Sequence, residues 1–360
     1  KRQREAFVKK KYRILILLGI LVLVLGGIVS ERLFAVQIHR GNMISSTEEL
    51  SLRITEELTQ GNHTFSTYIN GLSEDQLSRI NHNLDGFFGH VSSYIILRKV
   101  NADVSLVRFE LNPSNNYYVY QKVVNGTAIQ DNSAAELLSI KVQQIMDQYE
   151  KDNDYETVVS YHDYIVSHVK YGFLDGEEEQ LSYTAEGALL KGTAVCNGYA
   201  EAMELLLLCS GIDTRMAVGT ASGVDHAWNI VDIQGQWYHV DTTWDDPVPD
   251  TGEDPMHVYL NIDDTVMEKT HTWNRNAYPA CTSMDYNYYE QTGTAFDSFN
   301  DFKDYVLNEM KETDRIEVMV TDADKIQYDC AFVVKEGGAD TVSWQSYEDG
   351  NYMVMIITTK

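Results

Sequence analysis

Three short stretches of this chain hold residues able to do acyl-transfer chemistry. Cys196 lies in Gly192-Thr193-Ala194-Val195-Cys196-Asn197-Gly198-Tyr199-Ala200. His226 lies in Asp225-His226-Ala227-Trp228-Asn229, and Asp241 in Trp237-Tyr238-His239-Val240-Asp241-Thr242-Thr243-Trp244. A thiol, an imidazole and a carboxylate are the nucleophile, the proton carrier and the orienting group of a thiol acyl-transfer site. Sulfur attacks only as thiolate, and free N–H groups at the start of a helix favour that form. The same groups can bind a developing oxyanion. Of the other three cysteines, Cys209 follows Leu205 to Leu208 and fits a buried structural role. Cys281 and Cys330 could pair, and the sequence leaves that open.

The elements that must position these residues are legible from pattern. Ala200, Glu201, Ala202, Met203, Glu204 and Leu205 to Leu208 are strong helix formers, and Gly211 supplies a stop, so Cys196 stands in the first turn of a helix. Residues 226–233 and 236–243 alternate as strands about Gln234-Gly235, a two-residue hairpin signal. That loop pairs Ile233 with Gln236 and makes Asp241 a diagonal neighbour of His226 on one face. A four-residue loop would put the two directly opposite, and an odd loop would separate them. His239 shares the Asp241 face and competes for the role of base. The small residues Ser222, Gly223 and Ala227 open access to His226 and favour it.

The three blocks together, with Asp245-Asp246-Pro247, resemble the transglutaminase-like superfamily of papain-type thiol enzymes, and in particular its membrane-anchored bacterial members. His162-Asp163-Tyr164-Ile165-Val166 and Gly187-Ala188-Leu189 look like the family's leading helix and pre-cysteine segment. Tyr259-Leu260-Asn261 with Asp263 and Met267 looks like its closing segment. The likeness covers about residues 155–275. It implies an α+β fold, with the nucleophile helix packed on an antiparallel sheet. It implies Cys196 as nucleophile, His226 as base and acid, and Asp241 as orienter. Tyr183, just before the cysteine helix, is the candidate for a second oxyanion donor. The calcium sites of animal transglutaminases have no counterpart here. Asp245, Asp246, Asp250, Glu253 and Asp254 have a spacing that fits no metal motif and read as a solvated loop. No metal and no cofactor is expected.

The rest of the chain sets the context. It has 360 residues and a formal net charge of -26, which argues against a nucleic acid partner. Seven basic side chains and one acidic one fall in residues 1–13, ahead of an unbroken apolar run from Ile14 to Val29. That pattern predicts a single-pass transmembrane helix over residues 14–30, with the N-terminus cytoplasmic and the remainder extracellular. The expected organisation is an anchor over 1–40 and a stalk with an N-terminal α/β module over 41–150. The catalytic domain follows over 151–285, and a small α/β module over 286–360. Residues 40–61 read as a partly helical stalk, with Leu50, Ile54 and Leu58 at four-residue spacing. Helices are expected from Ser73 onward, with Leu77 to Phe88 as the apolar stripe, and over 134–149, with Leu137, Leu138, Val142, Ile145 and Met146 inward. A further helix is expected behind Ser298. Strands are expected over Val104 to Leu111, Tyr117 to Val124, Ile316 to Thr321, Tyr328 to Val334 and Tyr352 to Thr358. The helix-then-strands order of 73–124 returns after 286 as a weak echo. The expected function is cross-linking, deamidation or hydrolysis of amide bonds in a protein or cell-wall peptide. A catalytically silent module that binds surface partners is the alternative.

Overall fold

The computed structural model describes residues 43–73, 89–246, 255–321, 328–349 and 352–360. The expected anchor over 14–30 and the expected helix over Leu77 to Phe88 lie outside these residues. Among the described residues no helix is long and apolar enough to cross a membrane. The chain divides into two compact units, one ending at Asn112 and the other running from Pro113 to Lys360.

The first unit holds β1 (Met43–Ile44), α1 (Thr47–Thr59), β2 (Thr64–Asn70), β3 (Gly89–Lys99) and β4 (Val104–Pro113), with strand order β1-β2-β4-β3. Ser46 caps α1 by accepting from the Glu49 N–H. Leu50, Ile54 and Leu58 are fully buried, so the segment expected as a stalk is a packed helix. Phe65, Ile69, Val107 and Phe109 supply the sheet side of that core.

The second unit opens with three helices. These are α2 (Asn115–Asn125), α3 (Ser133–Tyr149) and α4 (Asp154–His168). The expected strand over Tyr117 to Val124 is therefore a helix. Ser114 accepts from the Tyr117 N–H at its start, and Gly126 closes it at φ +68°. The capping signal outweighs the β propensity of the tyrosines and valines. Asn132 and Asn153 cap α3 and α4 in the same way. Leu137, expected inward on α3, is exposed; Leu138, Val142 and Ile145 are buried.

Next come β5 (Lys170–Tyr171) and β6 (Thr193–Ala194), which pair in parallel, and the helix α5 (Cys196–Cys209). A five-stranded antiparallel sheet follows. It contains β7 (Thr214–Ala221), β8 (Val224–Ile233), β9 (Gln236–Val240), β10 (Leu260–Ile262) and, after α6 (Asp264–Met267), β11 (His271–Trp273). Its order is β10-β9-β8-β7-β11. The helix α5 packs against β7 and β8 on one side and against α2 and α4 on the other. Nearly every residue of α5 from Gly198 to Leu207 is consequently buried, as expected of a helix that is apolar almost all round.

The C-terminal part contains α7 (Tyr288–Thr292), β12 (Ala295–Phe296), α8 (Phe299–Glu309), β13 (Arg315–Thr321), α9 (Ala331–Lys335), β14 (Val342–Asp349) and β15 (Tyr352–Thr359). Ser298 caps α8. The expected strand over Tyr328 to Val334 is a turn leading into α9, whose Phe332 and Val333 pack on the sheet core with Cys330. The strand order β12-β13-β15-β14 matches that of the first unit, including a parallel first pair around a helix. The echo expected of 73–124 therefore belongs to 43–113. Ile316, Val318 and Val320 of β13 enter this core, so by strand alternation Glu317 faces the other way.

Candidate active site

Cys196 is the first residue of α5, and no side chain caps that helix. The Gly198 N–H already donates to the Val195 carbonyl at 2.9 Å, so the N–H groups ahead of it, of Cys196 and Asn197, are the ones that can serve a ligand. The start of the helix is held hard in place. Gly198 sits so close to its neighbours that an added Cβ would come within 2.7 Å of the Ser182 carbonyl oxygen and 2.8 Å of the Ala194 Cβ. Asn197 donates to the Tyr183 carbonyl at 2.5 Å, and Glu201 accepts from the Ala185 N–H at 3.0 Å.

The hairpin has the two-residue loop read from the sequence. Ile233 pairs with Gln236 and Asn229 with Val240. Gln234 at φ +55° and Gly235 at φ +83° make the turn. Strand β9 ends at Val240, and Asp241 follows it on the diagonal from His226. The His226 Nε2 donates to Asp241 Oδ2 at 2.7 Å. The other hydrogen-bond partner of the ring is the Cys196 side chain. The predicted trio is thus brought together, with the imidazole between sulfur and carboxylate.

Electrostatics hold His226 and Asp241 charged. Burial disfavours the imidazolium of His226, but the charge and hydrogen bond of Asp241, aided by Cys196, outweigh it and raise its pKa to about 10. Asp241 is completely buried, which alone would raise its pKa; the charge and hydrogen bond of His226 and the hydrogen bond of His271 hold it down at about 2. Its Oδ1 also accepts from the Thr243 and Trp244 N–H groups at 3.1 and 3.2 Å.

His271 is the residue that sequence reasoning missed. It is buried on β11 and its Nε2 donates to Asp241 Oδ2 at 3.0 Å, while its Nδ1 meets the Thr270 hydroxyl at 2.8 Å. The signal was a lone histidine thirty residues downstream, and only the pairing of β11 with β7 carries it to the carboxylate. His239, the expected competitor, is turned away. Its Nε2 donates to Asp264 at 2.8 Å and its Nδ1 accepts from the Trp228 indole N–H at 3.0 Å. Burial pushes its pKa down. Ala227 is buried and opens nothing toward His226. Ser222 does reach the cleft.

That cleft has a volume of 360 Å³, and Tyr171, Ser222, Val224, Asp225, His226 and Trp244 are among its walls. Val224 is 70% exposed at the rim. Tyr183 is 41% exposed, with its ring 5.8 Å from that of Phe173. Tyr171 lies near Cys196, Asp241 and Tyr183, and burial together with these neighbours raises its hydroxyl pKa. Asp245 and Asp246, expected in a solvated loop, are buried. Asp245 accepts from the Tyr259 N–H and faces His162, and Asp246 accepts from the Tyr199 hydroxyl at 2.5 Å.

Two groups near the cleft have the composition of metal ligands, His226–Asp241–His271 and His239–Asp264–Cys281. Three histidines would have to serve, and hydrogen bonds already satisfy each, His226 lying between Asp241 and Cys196. The Thr270 hydroxyl can donate to Nδ1 of His271 and the Trp228 indole does donate to Nδ1 of His239, so each Nε2 carries the proton that its carboxylate accepts. Neither group needs a cation.

The sequence profile of the transglutaminase-like superfamily matches residues 143–242. Kyphoscoliosis peptidase from Homo sapiens is 27% identical over 115 residues, covering 28% of this chain and 17% of its own length. The Mus musculus protein of the same name gives the same identity and coverage. The chain therefore spans about a sixth of the length of these curated relatives. Among solved structures, a TGase aligns over 49% of this chain and 50% of its own at 15% identity, with a TM-score of 0.29. The periplasmic domain of TgpA from Pseudomonas aeruginosa aligns over 53% of this chain and 75% of its own at 12% identity, with a TM-score of 0.26. A profile match that ends one residue past Asp241, on a mixed α+β core that joins all three of its predicted site residues, leads to one conclusion: residues 143–242 form a transglutaminase-like core.

Proposed function

We propose that this chain is a thiol enzyme acting on amide bonds of a protein or cell-wall peptide. The observation that carries this reading is the His226 ring held between Asp241 and Cys196 at an uncapped helix start. The Cys196 thiolate attacks the amide carbonyl carbon, and the electron pair moves onto oxygen. The N–H groups at the start of α5 stabilise that oxyanion. The His226 imidazolium then gives its proton to the leaving amine, and a thioester remains on sulfur. Water or a second amine attacks the thioester while His226 takes a proton from it. Collapse restores the thiolate and the imidazolium and releases acid or new amide. The name of the curated peptidase relatives supports a peptide substrate.

Tyr183 is assigned as the second oxyanion donor. Tyr183→Phe should lower kcat with KM little changed, and Tyr171→Phe is the control for general loss of cleft packing. Incubation with peptides bearing glutamine, an ordinary peptide bond or a wall cross-link should leave a thioester adduct on Cys196 by mass spectrometry. No adduct from any of the three, in a folded protein, would overturn the enzyme reading and favour the silent binding module. The extracellular orientation behind a membrane anchor over residues 14–30 belongs to the same proposal. Its support is the basic flank and the apolar run. Protease added to intact cells should remove the region after residue 40; protection until lysis would reverse the topology.

A further inference from the structure

A second cluster of titratable side chains shares no residue with the Cys196, His226 and Asp241 trio. His162 and Asp163 are neighbours on α4, His257 lies in the segment before β10, and Glu317 is on β13. His162 Nδ1 lies 2.9 Å from Asp163 Oδ1, and His257 Nε2 lies 3.1 Å from the same oxygen. The outer nitrogens also face carboxylates. His162 Nε2 is 3.1 Å from Asp245 Oδ2, and His257 Nδ1 is 3.0 Å from Glu317 Oε2. Asp245 is fixed by the Tyr259 N–H, and Glu317 by the Tyr289 hydroxyl at 2.6 Å and the His257 N–H at 2.9 Å. The Arg315 guanidinium stands 3.9 Å from Glu317. Tyr288 stacks on the His257 ring at 3.7 Å.

Proton counting singles this cluster out. A neutral imidazole has one N–H and one lone pair. If each ring donates outward, to Asp245 and to Glu317, both inner lone pairs point at Asp163 Oδ1, which has only lone pairs to offer. A proton on Asp163 would satisfy one nitrogen and leave the other. His271 and His239 have a hydroxyl or an indole donor at the second nitrogen and His226 has the Cys196 thiol, whereas among the described residues His162 and His257 meet a carboxylate at both nitrogens. Two extra protons would relieve the conflict, and so would one cation at the point where the three atoms converge. Those three atoms lie within 4.8 Å of one another. Each histidine would then show the arrangement usual for a metal ligand, with one nitrogen on the metal and the other donating to a buried carboxylate. The Asp163 side chain is 40% exposed, which leaves a path for entry and room for water in a fourth position.

We propose that His162 Nδ1, Asp163 Oδ1 and His257 Nε2 bind one divalent cation of the zinc class, with Asp245 and Glu317 orienting the two rings. No local motif announces the site, because His257 is 94 residues from Asp163. Bound metal would tie α4 to the segment that leads into the sheet and, through Glu317, to the C-terminal strands.

The test uses the full chain carrying Cys196→Ala, which removes the cleft thiol as a ligand. After chelator dialysis the protein is titrated with zinc and, separately, with cobalt(II). One equivalent of zinc should bind, and cobalt should give visible d–d bands without a thiolate charge-transfer band. His257→Gln should abolish that equivalent. Asp163→Asn, at a half-exposed position that the fold tolerates more easily, should do the same if His257→Gln fails to fold. Glu317→Gln should keep the stoichiometry and weaken binding about 10- to 100-fold. Binding of no metal overturns the proposal, as does metal that survives both His257→Gln and Asp163→Asn. Nitrogen NMR showing both rings doubly protonated after exposure to zinc also overturns it.

Discussion

At Cys196 the chemistry depends on what separates one thiol from three others. Cys209, Cys281 and Cys330 are buried, and burial raises each of their pKa values, to about 12 at Cys209 and Cys330. Cys196 is partly exposed. Brief treatment with iodoacetamide at neutral pH should label Cys196 alone, as read by peptide mass spectrometry. Cys209→Ala should leave that labelling intact and cost about 1–2 kcal/mol of stability as a small cavity. Asp241→Asn keeps the size but removes the charge that sustains the His226 imidazolium, so kcat should fall about 10²- to 10⁴-fold. His271→Ala, removing a charge-assisted hydrogen bond to the same oxygen, should lower kcat about 10-fold or more with KM little changed. The pH dependence follows in sign. His226 is raised to about 10, so activity needing its proton is lost as pH climbs through that value. Its contribution to stability is complete below the ordinary imidazole value of about 6.5 and fades over the same climb. In Asp241→Asn the alkaline limb should move down. An unmoved limb would mean that Asp241 does not set the charge of the ring.

Elements act here through how closely they approach one another. Strand β11 brings His271 to Asp241 only because β7 offers Gly219 beside it. A Cβ at Gly219 would lie 2.0 Å from the Thr272 carbonyl oxygen. Gly219→Ala should therefore push β11 outward and lower kcat toward the level of His271→Ala, and a crystal structure should show the displaced strand. Within α5, Glu204 is fully buried beside the sheet, and its Oε2 has no hydrogen-bond partner among the described residues. Burial raises its pKa from 4.5 to about 8. The folded protein thus keeps a proton that the unfolded chain releases, and stability declines as pH rises across that interval. Glu204→Gln should gain about 2–4 kcal/mol at pH 8 and almost nothing at pH 4, measured by urea unfolding. A gain that is the same at both pH values would point to packing rather than the proton.

For the molecule as a whole, charge and duplication set the expectations. The formal net charge is -26, and Asp225 stands in the wall of the cleft. Such a field draws in basic peptides and is screened by salt over about 10 Å at 0.1 M. For a lysine-rich peptide substrate, kcat/KM should fall as sodium chloride is raised, and for an uncharged peptide it should hold steady. Equal salt dependence for the two would remove electrostatic steering from the account. The four-stranded sheets of 43–113 and of the C-terminal part share one strand order and a parallel first pair. The chain thus carries the same small α/β architecture on either side of its transglutaminase-like core.

Local chemistry was what the sequence by itself determined. Helix formers behind Cys196 and a two-residue turn at Gln234-Gly235 act over a few residues, so they specified α5, the hairpin register and the diagonal meeting of His226 with Asp241. Where two local signals competed, pattern alone chose wrongly. The tyrosines and valines of Tyr117 to Val124 suggest a strand, and the cap at Ser114 makes the segment a helix. Only the tertiary structure decided which histidine serves which carboxylate. His239 shares the parity of Asp241 yet binds Asp264, His271 arrives from a strand paired across the sheet, and Asp245 is buried against His162 rather than solvated. The physical reason is range. Propensity and capping are encoded within a turn or two, but a buried nitrogen takes its partner from whatever strand or helix packing brings within 3 Å, however distant in sequence.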